Sequence, residues 1–368
     1  MNVAILGGGN GGYAIAADLA LATHRVRLWR RAGDELGPVR QGGAITLLAE
    51  ERQGPARLDR ATADLAEALE GAEVVVVALP ATAHEDVATR LAGRLTGKEI
   101  VLLTPGTLGT YVIARALARA GATLPFALAE TGTLPFLARK TGPATVSAPV
   151  RAANLPVGVF PASRSPAALE RLRVLFPAAR PCVDTLDAAL TNAGPVIHPP
   201  LVLVNAASID AGRFDIHAAG TSASARRLID AVDAERVAAR TGIGYPAPHY
   251  ELATYYDAAR AAEGLYGAGA REKLVASGLW SETLTFEHRY VSEDVALGLT
   301  LFESAGRMGG AATPAISGLL GVFGALLGRD LTGGRALDHL GLGDLTRREV
   351  LALLHDGWES FTWSRVIR

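Results

Sequence analysis

One cysteine, two methionines and an aromatic content of 6% are what this 368-residue chain has least of. With Cys182 alone, no intrachain disulfide, multi-cysteine zinc site or iron–sulfur cluster can form, and a reducing compartment fits. An excess of one charge is missing too. Lys+Arg 36 stand against Asp+Glu 37 with no basic block, which leaves neither an electrostatic footprint for nucleic acid nor a polybasic stretch for an anionic membrane. The opening residues, Met1 to Gly7, run into a strand pattern without the charged segment, apolar core and cleavage site of a signal peptide, so a cytoplasmic location is expected. Long hydrophobic runs are absent as well. The stretch between Arg307 and Arg329 carries no charge, but Pro314 and six glycines interrupt it. The part that can be continuous helix, after Thr313 as N-cap, falls short of the ~20 residues of a membrane span. A buried helix packed through its small residues is the expectation there.

What the chain does have is apolar mass: 49% hydrophobic residues, enough for a core in each of two domains at about 100–200 residues per domain. The first part alternates short β-branched runs with Ala/Leu-rich stretches, the rhythm of a parallel α/β sheet. Strands are predicted at Val3–Leu6, Val26–Trp29, Val74–Leu79, Ile100–Leu103 and Phe126–Ala129, and helices at Tyr13–Ala22, Ala61–Glu70 and His84–Arg94. From about residue 186 the pattern turns helical, with candidates at Pro199–Ile209, Ala223–Thr241, Val291–Ala305, Pro314–Leu327 and Thr346–His355. The reading is a Rossmann-type dinucleotide-binding domain over 1–185, followed by an all-helical substrate domain over 186–368.

The run Gly7-Gly8-Gly9-Asn10-Gly11-Gly12 follows the first strand and opens the first helix, the context in which G-x-G-x-x-G binds a dinucleotide. Gly7 permits the turn, Gly9 lets the backbone approach a pyrophosphate, Gly12 allows close helix–strand packing, and Asn10 heads the helix whose free N–H groups favour an anion. The second strand ends in Trp29-Arg30-Arg31, where an acidic residue would receive a ribose hydroxyl. A guanidinium instead pairs with a 2′-phosphate, so NADP(H) is preferred over NAD(H), unless Arg30 and Arg31 are simply a solvated loop.

Of eight histidines, only His198 is set among apolar residues and prolines, and no metal-ligand spacing occurs. By pattern alone His198 is either a packed core residue or a catalyst. The cluster His288 to Val295 is either an acidic helix start or part of a site. The sequence resembles the octopine/nopaline (opine) dehydrogenase family over nearly its whole length. The residues that carry this are Gly7 to Gly12, Ala129 to Phe136, Asn192 with Gly194-Pro195 and His198-Pro199-Pro200, Asn205, Asp233 to Arg236, and Arg289-Tyr290 with Glu293-Asp294-Val295.

The resemblance implies reduction, by NADH or NADPH, of the imine formed between a 2-oxo acid and the amino group of an amino acid. It implies that His198 is the catalytic histidine, Asp294 its carboxylate partner, and Arg289 the residue that holds the 2-oxo acid. Phe214 to Gly220 departs from the family pattern, leaving the amino-substrate pocket unassigned, and Trp280 and His288 either line that pocket or pack the helical domain. Two other readings stay open: a 2-oxo acid reductase without an amine substrate, and an NADP(H)-binding protein without chemistry. Expected partners are a small amino acid and a 2-oxo acid, with neither metal, nucleic acid nor membrane, and the apolar helical domain is compatible with a homodimer.

Overall fold

Continuous β-branched runs such as Val74–Val77 suit strands buried on both faces, and that is where they are found. The protein is described here from a computed structural model covering residues 1–212, 214–331 and 333–367. Its strands are β1 (Asn2–Leu6), β2 (Arg25–Trp29), β3 (Ala44–Leu48), β4 (Gly54–Arg57), β5 (Arg60–Thr62), β6 (Val74–Val77), β7 (Ile100–Leu103), β8 (Ala127–Thr131), β9 (Phe136–Gly142), β10 (Thr145–Arg151), β11 (Leu155–Phe160) and β12 (Ala179–Pro181). The main sheet runs β12-β11-β8-β7-β6-β1-β2-β5, parallel throughout except where β11 lies antiparallel to β8. Strand order reverses at β1, so the crevice beyond the carboxyl ends of β1 and β6 is the expected ligand position.

A second sheet, β4-β3-β10-β9, was not foreseen in the sequence. It packs on the far side of the first helix, Asn10–Leu21, and explains why Gly12 to Leu19 is buried without interruption. A helix between two sheets has no wet face to mark with charge. Its one acid, Asp18, is fully buried and held by Arg52 at 3.0 Å and by Arg151.

The predicted Ala61–Glu70 helix is corrected: Arg60–Thr62 pairs with β2 as β5, and the helix begins only at Leu65, where Asp64 accepts from the Ala66 amide at 2.8 Å. Strand six stops at Val77, because Ala78 turns toward the glycine loop.

After β12 the regular elements among the described residues are helices, joined by irregular segments, apart from a two-residue ladder between Phe214–Asp215 and Ser281–Glu282. The Asp233-Ala234-Glu235-Arg236 motif proves to be scaffold. Arg236, 1% exposed, binds Asp233 at 2.8 Å and the Leu190 and His249 carbonyls at 2.9 Å each. Glu235 accepts from the Ala315 and Ile316 amides at 2.7 and 2.9 Å, capping the Pro314–Leu327 helix in place of Thr313, whose side chain makes no cap bond. That helix buries Ile316, Leu319, Leu320 and Phe323 but exposes Gly318 and Gly321, so its small residues do not make the close packing expected of them. Among the described residues no helix is long and apolar enough to cross a membrane.

The helical part is stapled to the sheet. Arg335 donates to the Ala81 carbonyl at 2.8 Å and the Thr107 carbonyl at 3.0 Å, behind the loops that follow β6 and β7. Glu130, at the end of β8, accepts from the Leu108 and Thr110 amides at 2.7 and 3.0 Å, fixing the second of those loops.

Because Glu235 satisfies two helix-end amides, Glu235→Ala should lower stability by about 1–2 kcal/mol in urea unfolding, with Glu235→Gln falling between it and the parent. An unchanged midpoint for Glu235→Ala would remove the cap from this account.

Candidate active site

The glycine loop joins β1 to the first helix, and each glycine has its own reason. Gly7 sits at φ +129°, with the Ala78 carbonyl oxygen 2.3 Å from where a Cβ would lie. A Cβ on Gly12 would meet the Gly7 carbonyl oxygen at 1.8 Å. Gly9 differs, since nothing lies within 4 Å of its Cβ position. Gly9 is the N-cap, makes no side-chain cap bond, and is followed by a first turn without acid, so amide donors face that open space. These residues fit a dinucleotide pyrophosphate. Asn10 lines the same cleft, while its side chain accepts from the Lys140 amide at 2.9 Å and ties the helix start to β9.

The two arginines after β2 part company. Arg30 folds back over the loop, donating to the Gly8 carbonyl at 2.9 Å and pairing with Glu35; its Cδ would be 2.6 Å from a Gly8 Cβ. Arg31 is largely exposed and lies 3.9 Å from Asp86. Sequence reasoning missed Lys140, whose ammonium stands 4.0 Å from the Tyr13 ring centroid. Burial and the nearby Arg30 charge lower the pKa of Lys140.

Beyond the loop opens a cleft of 410 Å³, floored by Ala78-Leu79-Pro80 and Thr104-Pro105 and walled by the helical part. His198 stands in the Gly194–Val204 helix and Asp294 begins a π-helical turn, Asp294–Leu299, that follows the short Arg289–Ser292 helix. A π turn inserts a residue and re-aims side chains, and such turns concentrate at functional sites. Here the imidazole Nδ1 meets the Asp294 Oδ2 at 2.7 Å. The approach depends on Gly194, where a Cβ would lie 2.5 Å from the Asp294 Oδ1. Asn192 accepts from the Gly194 amide at 3.0 Å and donates to Thr107 at 3.3 Å, locking that turn to the sheet.

Tyr290 stacks on His198, ring centroids 3.7 Å apart and planes 12° from parallel, with its hydroxyl 3.3 Å from His217 Nε2. His198 retains 19% side-chain exposure, toward the cleft. Burial lowers its pKa well below the ordinary value, with the Arg289 charge adding to the effect. Burial pushes the Asp294 carboxyl up to about 7, against the pull of Arg289. The imidazole is therefore neutral at neutral pH, and once the Asp294 carboxyl is ionised Nδ1–H is directed at it, with Nε2 left to exchange protons. Burial lowers His217, whose ring centroid lies 5.8 Å from that of His198, to about 3.

Arg289 lines the same cleft and pairs with Glu293 at 3.2 Å, whose Oε2 also accepts from the Ala81 amide at 3.4 Å. The three residues expected to converge, His198, Asp294 and Arg289, thus share one cleft with Gly9 and Asn10. Trp280 and His288, left open above, both line it. Arg139, His217, Tyr255 and Leu274 were missed. Period-two alternation along Phe136 to Lys140 would have put Leu137 and Arg139 on one face of β9, but nothing in the sequence says that this face meets the helical part. Among the described residues, no group of three or more His, Cys, Asp or Glu could hold a metal ion.

Residues 181–327 match the family model for the NAD/NADP octopine/nopaline dehydrogenase alpha-helical domain, and residues 2–110 match that for the NAD-dependent glycerol-3-phosphate dehydrogenase N-terminus. The chain is similar to an opine dehydrogenase of Arthrobacter sp. (strain 1C), 29% identical over 349 residues that span 93% of this chain and 96% of the relative. Among solved structures it shares its fold with octopine dehydrogenase in complex with NADH and agmatine, at a TM-score of 0.71 and 19% identity over 95% of this chain and 97% of that one. It likewise resembles NADP+-bound yersinopine dehydrogenase, at a TM-score of 0.65 and 14% identity over 97% and 98% of the two chains.

The loop geometry separates binding from folding. Gly9→Ala should fold with an unchanged melting temperature yet weaken dinucleotide affinity about tenfold or more, because its Cβ enters the space a pyrophosphate needs. Gly12→Ala should melt earlier. A titration in which Gly9→Ala binds like the parent would contradict the assignment.

Proposed function

The chain belongs to the octopine/nopaline dehydrogenase family and is an opine-dehydrogenase-like NAD(P)-dependent oxidoreductase; from that premise we propose that it condenses an amino acid with a 2-oxo acid through an imine and reduces the imine to an N-(carboxyalkyl) amino acid. The observation that carries this reading is the 2.7 Å contact between His198 and Asp294 in the cleft that Arg289 and the glycine loop also line.

Arg289 takes the carboxylate of the 2-oxo acid, a planar fork onto a planar anion. Glu293 steadies that fork and, through the Ala81 amide, ties it to the loop after β6. Attack of the amine on the 2-oxo carbon gives a carbinolamine, which loses water to form the imine. His198 Nε2 removes the proton that the amine must shed and returns one to the departing hydroxyl, while Asp294 holds the ring in the productive tautomer and stabilises the imidazolium. The dinucleotide, when bound, supplies the hydride.

The preferred dinucleotide in this reading is NADP(H). Arg30 and Lys140 bring two cations together beside the glycine loop with Glu35 as counter-ion, an arrangement that favours exchange of the carboxylate for a 2′-phosphate. The exposed Arg31 contributes little. Arg30→Ala should therefore weaken NADPH about 10- to 100-fold more than NADH, and Arg31→Ala should leave the ratio nearly unchanged; equal losses of both cofactors in Arg30→Ala would refute the assignment.

Pyruvate-dependent oxidation of NADPH should require an added amino acid, and mass spectrometry should find a secondary amine; turnover on pyruvate alone, giving lactate, would favour the simple reductase. In the reverse direction the base form of the pair is needed. Opine oxidation should rise with pH and level off above about 7, with the proton-requiring reduction falling over the same range. Asp294→Asn should cut turnover about 10²- to 10⁴-fold without changing cofactor affinity, and near-parental rates would break the proposed pair.

A further inference from the structure

A product made from an amino acid and a 2-oxo acid carries two carboxylates, and a mostly apolar cleft must neutralise each of them. Arg289 accounts for one. Among the described residues lining the cleft, the other guanidinium is Arg139, and no lysine is present. Arg139 comes from β9 on the sheet side, whereas Arg289 comes from the helical side, so the cleft has a cation on each wall. The Arg139 guanidinium lies over the indole of Trp280, 4.6 Å from the ring centroid, which fixes its plane at low entropic cost. Its charge reaches both His198 and His217, depressing the protonation of each, which puts it within electrostatic range of the proposed proton-transfer group.

The rest of this wall is Leu137, Leu274, Tyr255 and Tyr266, with the Tyr266 hydroxyl already engaged by Thr133. Of the carboxylates among the described residues lining the cleft, Asp294 pairs with His198 and Glu293 pairs through Oε2 with Arg289, its Oε1 being buried without a partner. Beside Leu137, Leu274, Tyr255 and Tyr266 a cationic side chain would meet no carboxylate of the described residues of that wall, whereas an uncharged one would meet apolar and aromatic surface.

We propose that Arg139 binds the α-carboxylate of the amino substrate, and that the side chain this pocket admits is uncharged and apolar or aromatic. The proposal rests on the amino acid plus 2-oxo acid reading above and goes beyond it by naming the second carboxylate's partner and the class of amine.

The test compares L-leucine, L-phenylalanine and L-arginine with their decarboxylated counterparts 3-methylbutylamine, 2-phenylethylamine and agmatine, using pyruvate and NADPH. The parent enzyme should favour leucine or phenylalanine over the matching amine by about 10- to 100-fold in kcat/KM, and over arginine by a similar factor. Arg139→Gln should abolish the acid-over-amine preference while leaving the KM for pyruvate unchanged, and Arg139→Lys should restore part of it. If Gln unfolds the protein, Arg139→Met, which keeps the stem over Trp280, carries the same comparison.

A preference that survives in Arg139→Gln, or a loss that falls on pyruvate instead, overturns the carboxylate assignment. Preference for arginine overturns the side-chain class. If no amine turns over at all, the proposed reaction fails by itself, and calorimetric titration of NADP+-loaded enzyme with the same pairs then decides the binding claim. Leucine or phenylalanine binding that Arg139→Gln abolishes supports it, and the absence of any acid-over-amine preference overturns it.

Discussion

The cleft is organised by one buried hydrogen bond, between the imidazole of His198 and the carboxylate of Asp294. Burial disfavours a charge on either partner, and the hydrogen bond between them is what keeps both polar groups satisfied. That contact needs backbone and carboxylate to come closer than any side chain at residue 194 would allow, which explains the Gly194-Pro195 pair ahead of the histidine. It also needs the Asp294 carboxylate to be turned inward. The π turn does this, packing its Gly298 against the Pro195 ring.

The same constraint ties the two halves of the molecule together. Glu293 reaches from the helical part to the Ala81 amide, and Arg335 fills the space behind the loops after β6 and β7 with bonds to their carbonyls. One hydrophobic cluster runs from the sheet into the helices, joining Leu6, just before the glycine loop, to Val196 and Ile197 beside His198. Positioning of the two groups relative to each other therefore comes from packing as much as from the polar contacts.

Much of the scaffold could be read from the chain. Val3 to Leu6, Val26 to Trp29 and Ile100 to Leu103 became strands because short unbroken apolar runs suit a sheet covered on both faces. Pro314 to Leu327 became a helix with the bounds its proline and flanking glycine suggest. Ala61 to Glu70 was misread because an edge strand of three residues, Arg60 to Thr62, has too little sequence to show a period of two, and sheet pairing outweighed helix propensity. The second sheet escaped although β3 and β10 alternate buried residues with half-buried ones, as in Thr145-Val146-Ser147-Ala148: its strands cover a helix instead of building a hydrophobic centre of their own.

By itself the sequence determined what local rules can determine. A glycine loop between a strand and a helix follows from residues that are neighbours in the chain, and its open face follows from the lack of side chains at Gly9. Tertiary structure alone decided which of two adjacent arginines turns onto that loop, since Arg30 and Arg31 are chemically identical and differ only in the surface each one meets. It alone brought His198 to Asp294 across 96 residues and set Arg139 opposite Arg289. No period or motif encodes a distance between remote segments, because that distance is the outcome of every contact packed between them.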